Sequence, residues 1–251
     1  MKNIFDIWII SKRSIRHTIR SLDTIITVLA MPIATMLMMV YVFGGAINTG
    51  SVRYIDFVVP GVVLMTVVSG VAYAAFRLNL DVQKGFINRF RSMPIASSSI
   101  LWGQVLSSVL SNLFSVVMVM LIALLVGFRS SANILSWLEF TGLLLLFTTA
   151  LTWLAIFFGL LAKSAEGAGA FSYILLFLVF ISSAFIPTEK MNPVIRAFAN
   201  NQPMTSIIQT FRSLLVNGTA GTNIWLACIW CLGLLVISYL LAIYTYKRRI
   251  I

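Results

Sequence analysis

The chain has 251 residues, of which 60% are hydrophobic and only 10% charged, and its mean hydropathy is +0.99. Soluble domains are about 45–50% apolar and roughly 25% charged, so a soluble fold of this composition could not cover its own core; the chain reads as an all-α integral membrane protein. Its formal charge of +11 would suggest a nucleic-acid partner in a soluble protein, but no basic run interleaved with aromatics accompanies it, and Lys/Arg retention on the cytoplasmic face of a membrane accounts for it.

The opening segment, Lys2 to Leu22, is too charged to span a bilayer. On a helix, Ile4, Trp8, Ile15, Ile19 and Leu22 form one stripe, and Arg13, Arg16, His17 and Arg20 lie opposite. That pattern predicts an interfacial amphipathic helix over residues 1–22, lying on the cytoplasmic leaflet with its arginines at anionic headgroups. Charges recur where a signal peptide needs its apolar region, which argues against a leader. His17 falls on the wet face as a solvated side chain.

A first span is expected from Thr24 to Phe43, bent at Pro32, followed by an outer loop marked by Gly44, Gly45, Asn48, Gly50 and Ser51. The second span covers Phe57 to Arg77, and Pro60-Gly61 suggests a broken or kinked outer end. Asp81 to Pro94 then places Asp81, Lys84, Arg89 and Arg91 between two membrane-length apolar runs. Such a connector faces water, and its Lys/Arg excess puts that water in the cytoplasm. Phe86, Ile87 and Phe90 project apolar bulk from it, the composition of a docking element.

The third span, Ile100 to Gly127, is longer than the roughly 20 residues a bilayer needs, so it tilts or extends into the cytoplasm. Gln104, Ser108, Ser111 and Ser115 share one face of it. Small polar residues in such a stripe serve close helix packing or line a wet substrate path. A fourth span runs from Trp137 to Leu161. Ala162 to Gly169 is a short inner turn, and a fifth span reaches from Ala170 to Ile186. Pro187 to Gly218 mixes three prolines and several charges with apolar groups, which predicts two short re-entrant or interfacial helices broken near Asn200 to Pro203. The sixth span, Asn223 to Tyr246, stops at Lys247, Arg248 and Arg249. In this topology both termini are cytoplasmic, and among the cations only Arg53, Arg129, Lys190, Arg196 and Arg212 lie outside.

No catalytic constellation can be assembled from one His and seven acidic residues, and no metal-ligand cluster either. Cys228 and Cys231 form a C-x-x-C inside an apolar helix, where packing explains them better than redox or zinc chemistry. The segment Gly159 to Ser164 approaches a phosphate-binding loop but lacks the glycine before Lys163 and the glycine five residues earlier. The spans also lack mid-membrane ionisable residues, which weakens an ion-coupled carrier or a channel. A membrane subunit driven from outside itself is the economical reading.

Phe57-Val-Val-Pro60-Gly61, then Asp81, Lys84-Gly85-Phe86-Ile87, Arg89, Arg91-Ser92-Met93-Pro94 and Gly103, resemble the ABC-2 type exporter permeases, most closely their daunorubicin/doxorubicin-resistance branch. Ser183 to Pro187, Met191, Pro193, Asn201, Pro203-Met204-Thr205 and Arg212 match the same family's outer region. Met191-Asn192-Pro193 departs from it, since the family places Pro directly after Met. The resemblance covers nearly the whole chain as a single transmembrane domain. It implies a six-helix half-transporter that pairs with a second permease, as a homodimer or with a homologue, and with two ABC ATPase subunits that hold ATP and Mg; the chain itself would bind no cofactor. It further implies a coupling helix over 81–94, with Asp81, Lys84, Gly85, Phe86, Ile87, Arg89, Phe90, Arg91 and Pro94 at the ATPase. An outer gate over 187–218 would involve Phe185, Pro187, Met191, Pro203, Met204 and Arg212.

The cargo expected from this resemblance is a hydrophobic or amphipathic drug, antibiotic or lipid-like molecule, exported across the cell membrane. Export of a lipid-linked polysaccharide is the alternative within transport. A non-transporting membrane scaffold or sensor that recruits a partner through the same basic loop is the alternative outside it.

Overall fold

A computed structural model describes residues 22–47, 52–84 and 97–250, and among these the regular structure is all helical, with no strand. The expected amphipathic helix over 1–22 lies outside the described residues except for its last position, as do Gly85 to Pro94 of the basic connector. Helix α1 spans Leu22–Met38 and continues as a π-helical turn over Met39–Phe43. The long helices are α2 (Tyr54–Gln83), α3 (Ser97–Val126) and α4 (Ile134–Leu161). Helix α5 (Ala165–Phe180) precedes two short helices, α6 (Pro193–Asn201) and α7 (Pro203–Arg212), and α8 (Ile224–Ile250) closes the chain. Four of these, α2, α3, α4 and α8, are long and apolar enough to cross a membrane; α1 and α5 are apolar but shorter.

Helix α2 is the centre. It packs against α1, α3, α4, α5 and α7, and from Tyr54 through Val68 every side chain is buried. The reason lies in its sequence: Val, Leu, Ile and Phe occupy all sides of the helix rather than one stripe, as a fully enclosed helix requires, and small residues open the closest contacts. A Cβ on Gly61 would lie 2.6 Å from Ala184 Cβ and 2.9 Å from its Cα. Glycine is thus what lets α2 and the turn after α5 touch. The helix runs unbroken through Pro60, contrary to the expected break. Pro60 removes only the N–H that would have served the Asp56 carbonyl, and burial on every side holds the rest.

Helix α8 packs chiefly on α4. Its Ser238 hydroxyl donates to the Leu234 carbonyl of its own helix and reaches the Ala150 carbonyl of α4 at 3.1 Å. Trp153 of α4 is fully enclosed and meets Trp102 and Tyr239 edge-to-face at 5.2 and 4.8 Å between ring centres. Cys231 is buried against this interface and Cys228 partly so, both as free thiols. The outward faces of α3 and α8 expose Leu121, Leu125, Ile229 and Leu240. Exposed apolar stripes of that length belong against lipid or another membrane helix.

Helices α2 and α5 differ most from expectation: α2 runs past the expected Phe57–Arg77 to cover Tyr54–Gln83, so that Asp81 to Gln83 of the connector are its last residues. Helix α5 covers Ala165–Phe180 rather than 170–186, because the Ser164 hydroxyl caps it by accepting the Gly167 N–H and Glu166 sits in its first turn, where a carboxylate complements the helix dipole. It ends early because Ser182 turns its hydroxyl back onto the Val179 carbonyl and then accepts the Ala184 N–H. The region before α8 contains the two short helices, meeting at Gln202.

Candidate functional site: the two ends of helix α2

At the end of α2 nearest the short helices, three segments converge on backbone carbonyls. The Arg212 guanidinium, at the last position of α7, donates from Nε and Nη2 to the Phe57 carbonyl at 3.2 and 2.9 Å and from Nη2 to the Ser183 carbonyl at 2.6 Å. Its plane carbon lies 3.6 Å from the centre of the Phe57 ring, within the range of a cation–π contact. No carboxylate among the described residues pairs with it. Burial lowers its pKa to about 10, still well above neutral, so the charge is retained. The carbonyl dipoles and the aromatic face are its compensation.

One helical turn away, the Tyr54 hydroxyl donates to the Phe185 carbonyl at 3.0 Å. Asp56 is buried, accepts Arg53 Nε at 2.8 Å and Nη2 at 3.2 Å, and also accepts the Arg129 backbone N–H at 3.2 Å. The loop before α4 is tied in turn to the π-helical turn Ser213–Asn217 that follows α7. Ser130 Oγ donates to the Leu215 carbonyl at 2.7 Å, Ser131 Oγ to the Val216 carbonyl, and Ser136 Oγ to the Gly218 carbonyl at 2.8 Å. Gly218, with φ +69°, ends that turn in the left-handed region, where a side chain would be strained.

Of the residues expected at a gate, Arg212 meets the Phe57 and Ser183 carbonyls and the Phe185 carbonyl accepts Tyr54; Met204 is buried at the opposite end of α7 from Arg212, and it and Phe185 belong to the extended core around α2. Pro203 opens α7 at its first position, where a missing N–H costs nothing. Pro187 and Met191 lie further out and bracket a 3-10 turn, Thr188–Lys190. Arg196 of α6 holds that turn by donating to the Thr188, Glu189 and Met191 carbonyls.

On α3, Ser108 is buried with its hydroxyl 3.3 Å from Thr152 Oγ1 of α4, and the Asn112 amide donates to the Ser108 carbonyl at 3.0 Å. Ser115 is buried and bonds the Ser111 carbonyl of its own helix at 3.0 Å. Gln104 and Ser111 are half-buried.

The opposite end of α2 leads into the basic connector. Asp81 is half-buried there and Lys84 exposed; Gly85, Phe86, Ile87, Arg89, Phe90, Arg91 and Pro94 lie outside the described residues. Just before them, fully buried Asn79 donates from Nδ2 to the Gly159 carbonyl at 2.9 Å and to the Ala162 carbonyl at 2.8 Å. Its Oδ1 accepts Gln83 Nε2 at 2.7 Å, and Gln83 also reaches the Lys163 carbonyl at 3.1 Å. The last carbonyls of a helix have no partners within it, and Asn79 supplies one for α4. Sequence reasoning passed over Tyr54, Asp56, Asn79 and Gln83. A polar amide one turn before a charged connector, in an otherwise apolar helix, was the available signal for Asn79, since such a group needs a partner when buried.

The comparisons with known proteins fall on this architecture. The ABC-2 type transporter family matches residues 6–216. The chain is 31% identical over 198 residues to the daunorubicin resistance ABC transporter permease protein DrrB1 of Streptomyces coeruleorubidus, a match that covers 78% of this chain and 70% of that relative.

Proposed function

The chain belongs to the ABC-2 type transporter family, and we propose that it is the membrane subunit of an ATP-driven exporter for a hydrophobic or amphipathic drug, antibiotic or lipid-like molecule. On this reading the cargo leaves the cytoplasm or the inner leaflet of the cell membrane. Six spans carry it: α1 with its π-helical turn, α2, α3, α4, α5 with the turns that follow, and α8. Both termini are cytoplasmic. Residues 81–94 form the docking element for an ABC ATPase, present in two copies, which holds ATP and Mg. A second permease, identical or homologous, completes the pathway.

The observation that carries this reading is the central, buried α2. One of its ends runs into the basic connector, and the other is gripped by Arg212, Phe185 and the short helices. The segment 187–218 is then the gate on the outer side, set against the far end of the same helix that the ATPase addresses. The drug named for the relative makes daunorubicin the first cargo to try.

The test is purification of tagged protein from mild detergent beside an Arg89→Glu/Phe90→Asp variant, with partners identified by mass spectrometry and ATP hydrolysis assayed in the eluate. A co-purifying ATPase that the variant loses supports both the class and the docking element. An ATPase that the variant retains overturns the docking assignment. No ATPase under several mild conditions overturns the driven-exporter reading in favour of a scaffold.

A further inference from the structure

We propose that Asn79, assisted by Gln83, is a positioning residue that joins the connector end of α2 to the α4–α5 turn, so that the two shift as one body during the transport cycle. The inference rests on the ATP-driven reading above and adds to it a route for the motion.

The argument begins with the bonds. Asn79 is fully enclosed, and all of its hydrogen-bonding groups are engaged with one neighbouring segment or with Gln83. Its two amide hydrogens serve the Gly159 and Ala162 carbonyls, and Gln83 extends the same contact to the Lys163 carbonyl. Sliding α2 past the turn would strand the Asn79 amide and the Gly159 carbonyl in a buried place and would also break the part-buried bond to the Ala162 carbonyl; each buried stranded group costs about 1–3 kcal/mol. Moving the turn with α2 costs none of this.

The surrounding packing leaves no slack for the alternative. Only Ala162, Lys163 and Ser164 separate α4 from α5, and Ser164 is already committed to capping α5. A Cβ on Gly159 would lie 3.0 Å from the Ala75 carbonyl and 3.1 Å from Leu78 Cδ2, so α4 and α2 meet at nearly backbone contact just beside the Asn79 bonds. The segment Gly159 to Ser164, which resembles a phosphate loop only superficially, is therefore a helix end built to receive a side chain from α2. A force applied to the connector acts on α2, α4 and α5 together.

The experiment uses the full chain with its ATPase in inverted membrane vesicles, reading ATP hydrolysis and the daunorubicin moved per ATP. Asn79→Leu is expected to leave hydrolysis near the unaltered rate while the daunorubicin moved per ATP falls about fivefold or more, the range of a lost coupling contact. A Gln83→Cys/Lys163→Cys pair, in a chain whose Cys228 and Cys231 are replaced by alanine, is then joined by a short bis-maleimide. Joining is expected to restore the ratio in the Asn79→Leu background and to leave hydrolysis unchanged where Asn79 is retained. An unchanged ratio in Asn79→Leu overturns the proposal, as does a ratio the cross-link cannot restore. Should Asn79→Leu fail to reach the membrane, the cross-link with Asn79 retained decides alone and needs no cargo: unaltered hydrolysis supports one moving body, and arrest overturns it. An unaltered complex that neither hydrolyses ATP nor moves drug instead overturns the exporter reading itself, and the inference falls with it.

Discussion

Arg212 and Phe57 meet twice: the guanidinium lies over the Phe57 ring at 3.6 Å, and two of its nitrogens donate to the carbonyl of that same residue. A planar fork can satisfy both contacts at once and still reach Ser183; an ammonium cannot. Arg212→Lys is therefore expected to lower stability by about 1–3 kcal/mol, the range for stranding buried acceptors. The readout is the thermal midpoint of the detergent-solubilised protein. A midpoint equal to that of the unaltered chain would show that charge alone suffices there.

Two glycines of α2 predict different outcomes for the same substitution. Gly61→Ala drives a methyl into the Ala184 side chain and backbone, and backbone cannot yield; overpacking of this kind costs about 1–3 kcal/mol. Gly70→Ala meets the Asn112 side chain first, at 2.0 Å from Oδ1, and its three nearest atoms all belong to that side chain. Asn112→Ala in the same chain should therefore recover most of the Gly70→Ala loss, whereas Ala184→Gly should recover little of the Gly61→Ala loss. Strict additivity in the Gly70/Asn112 pair, measured by thermal midpoints, contradicts the contact.

Asp56 serves two partners of unequal weight. The Arg53 side chain is 56% exposed, and exposed ion pairs contribute about 0–1 kcal/mol. Arg53→Ala should thus be nearly silent. Asp56→Ala also strips the acceptor from the Arg129 N–H, a part-buried bond, so its cost is expected at the low end of the about 1–3 kcal/mol for an unserved buried donor. Proteolytic susceptibility of the 127–133 loop is the specific readout, expected to rise only in Asp56→Ala.

Trp153 stands between Trp102 and Tyr239 with almost no exposure. Trp153→Ala opens a cavity where α3, α4 and α8 meet, and large-to-small changes of this size cost about 3–5 kcal/mol. Loss of folded protein from the membrane fraction at the growth temperature is expected, with Trp153→Phe intermediate.

Hydropathy made the long helices readable, because hydrocarbon tolerates few alternatives to an apolar helix of about 20 residues. The break between α6 and α7 was readable from Pro203 and its neighbours. The contacts of Arg212, Asn79 and Tyr54 were not, since their partners are backbone carbonyls of Phe57, Ser183, Gly159, Ala162 and Phe185, and a carbonyl carries no signature of its residue type. The early start of α5 was in the letters, in Ser164 and Glu166 as cap and first-turn acid, but the charges of Lys163 and Glu166 read as a turn over Ala162 to Gly169. Pro60 misled in the opposite direction: local chemistry predicted a break that enclosure by five neighbouring elements prevents.

The length of α2 carries one more consequence. Thirty residues without interruption make a rod of about 45 Å, as long as a bilayer is thick with its headgroups, about 40–45 Å. Its two tips, Tyr54 and Gln83, can therefore both reach the headgroup boundary while the apolar stretch from Phe57 to Phe76 crosses the hydrocarbon. Between Pro60 and Gln83 such a rod has no proline joint at which a tilt can be absorbed, so an angular displacement of the connector tip is carried to the Pro60 end, and the carbonyl contacts of Arg212 beside it are where it is answered.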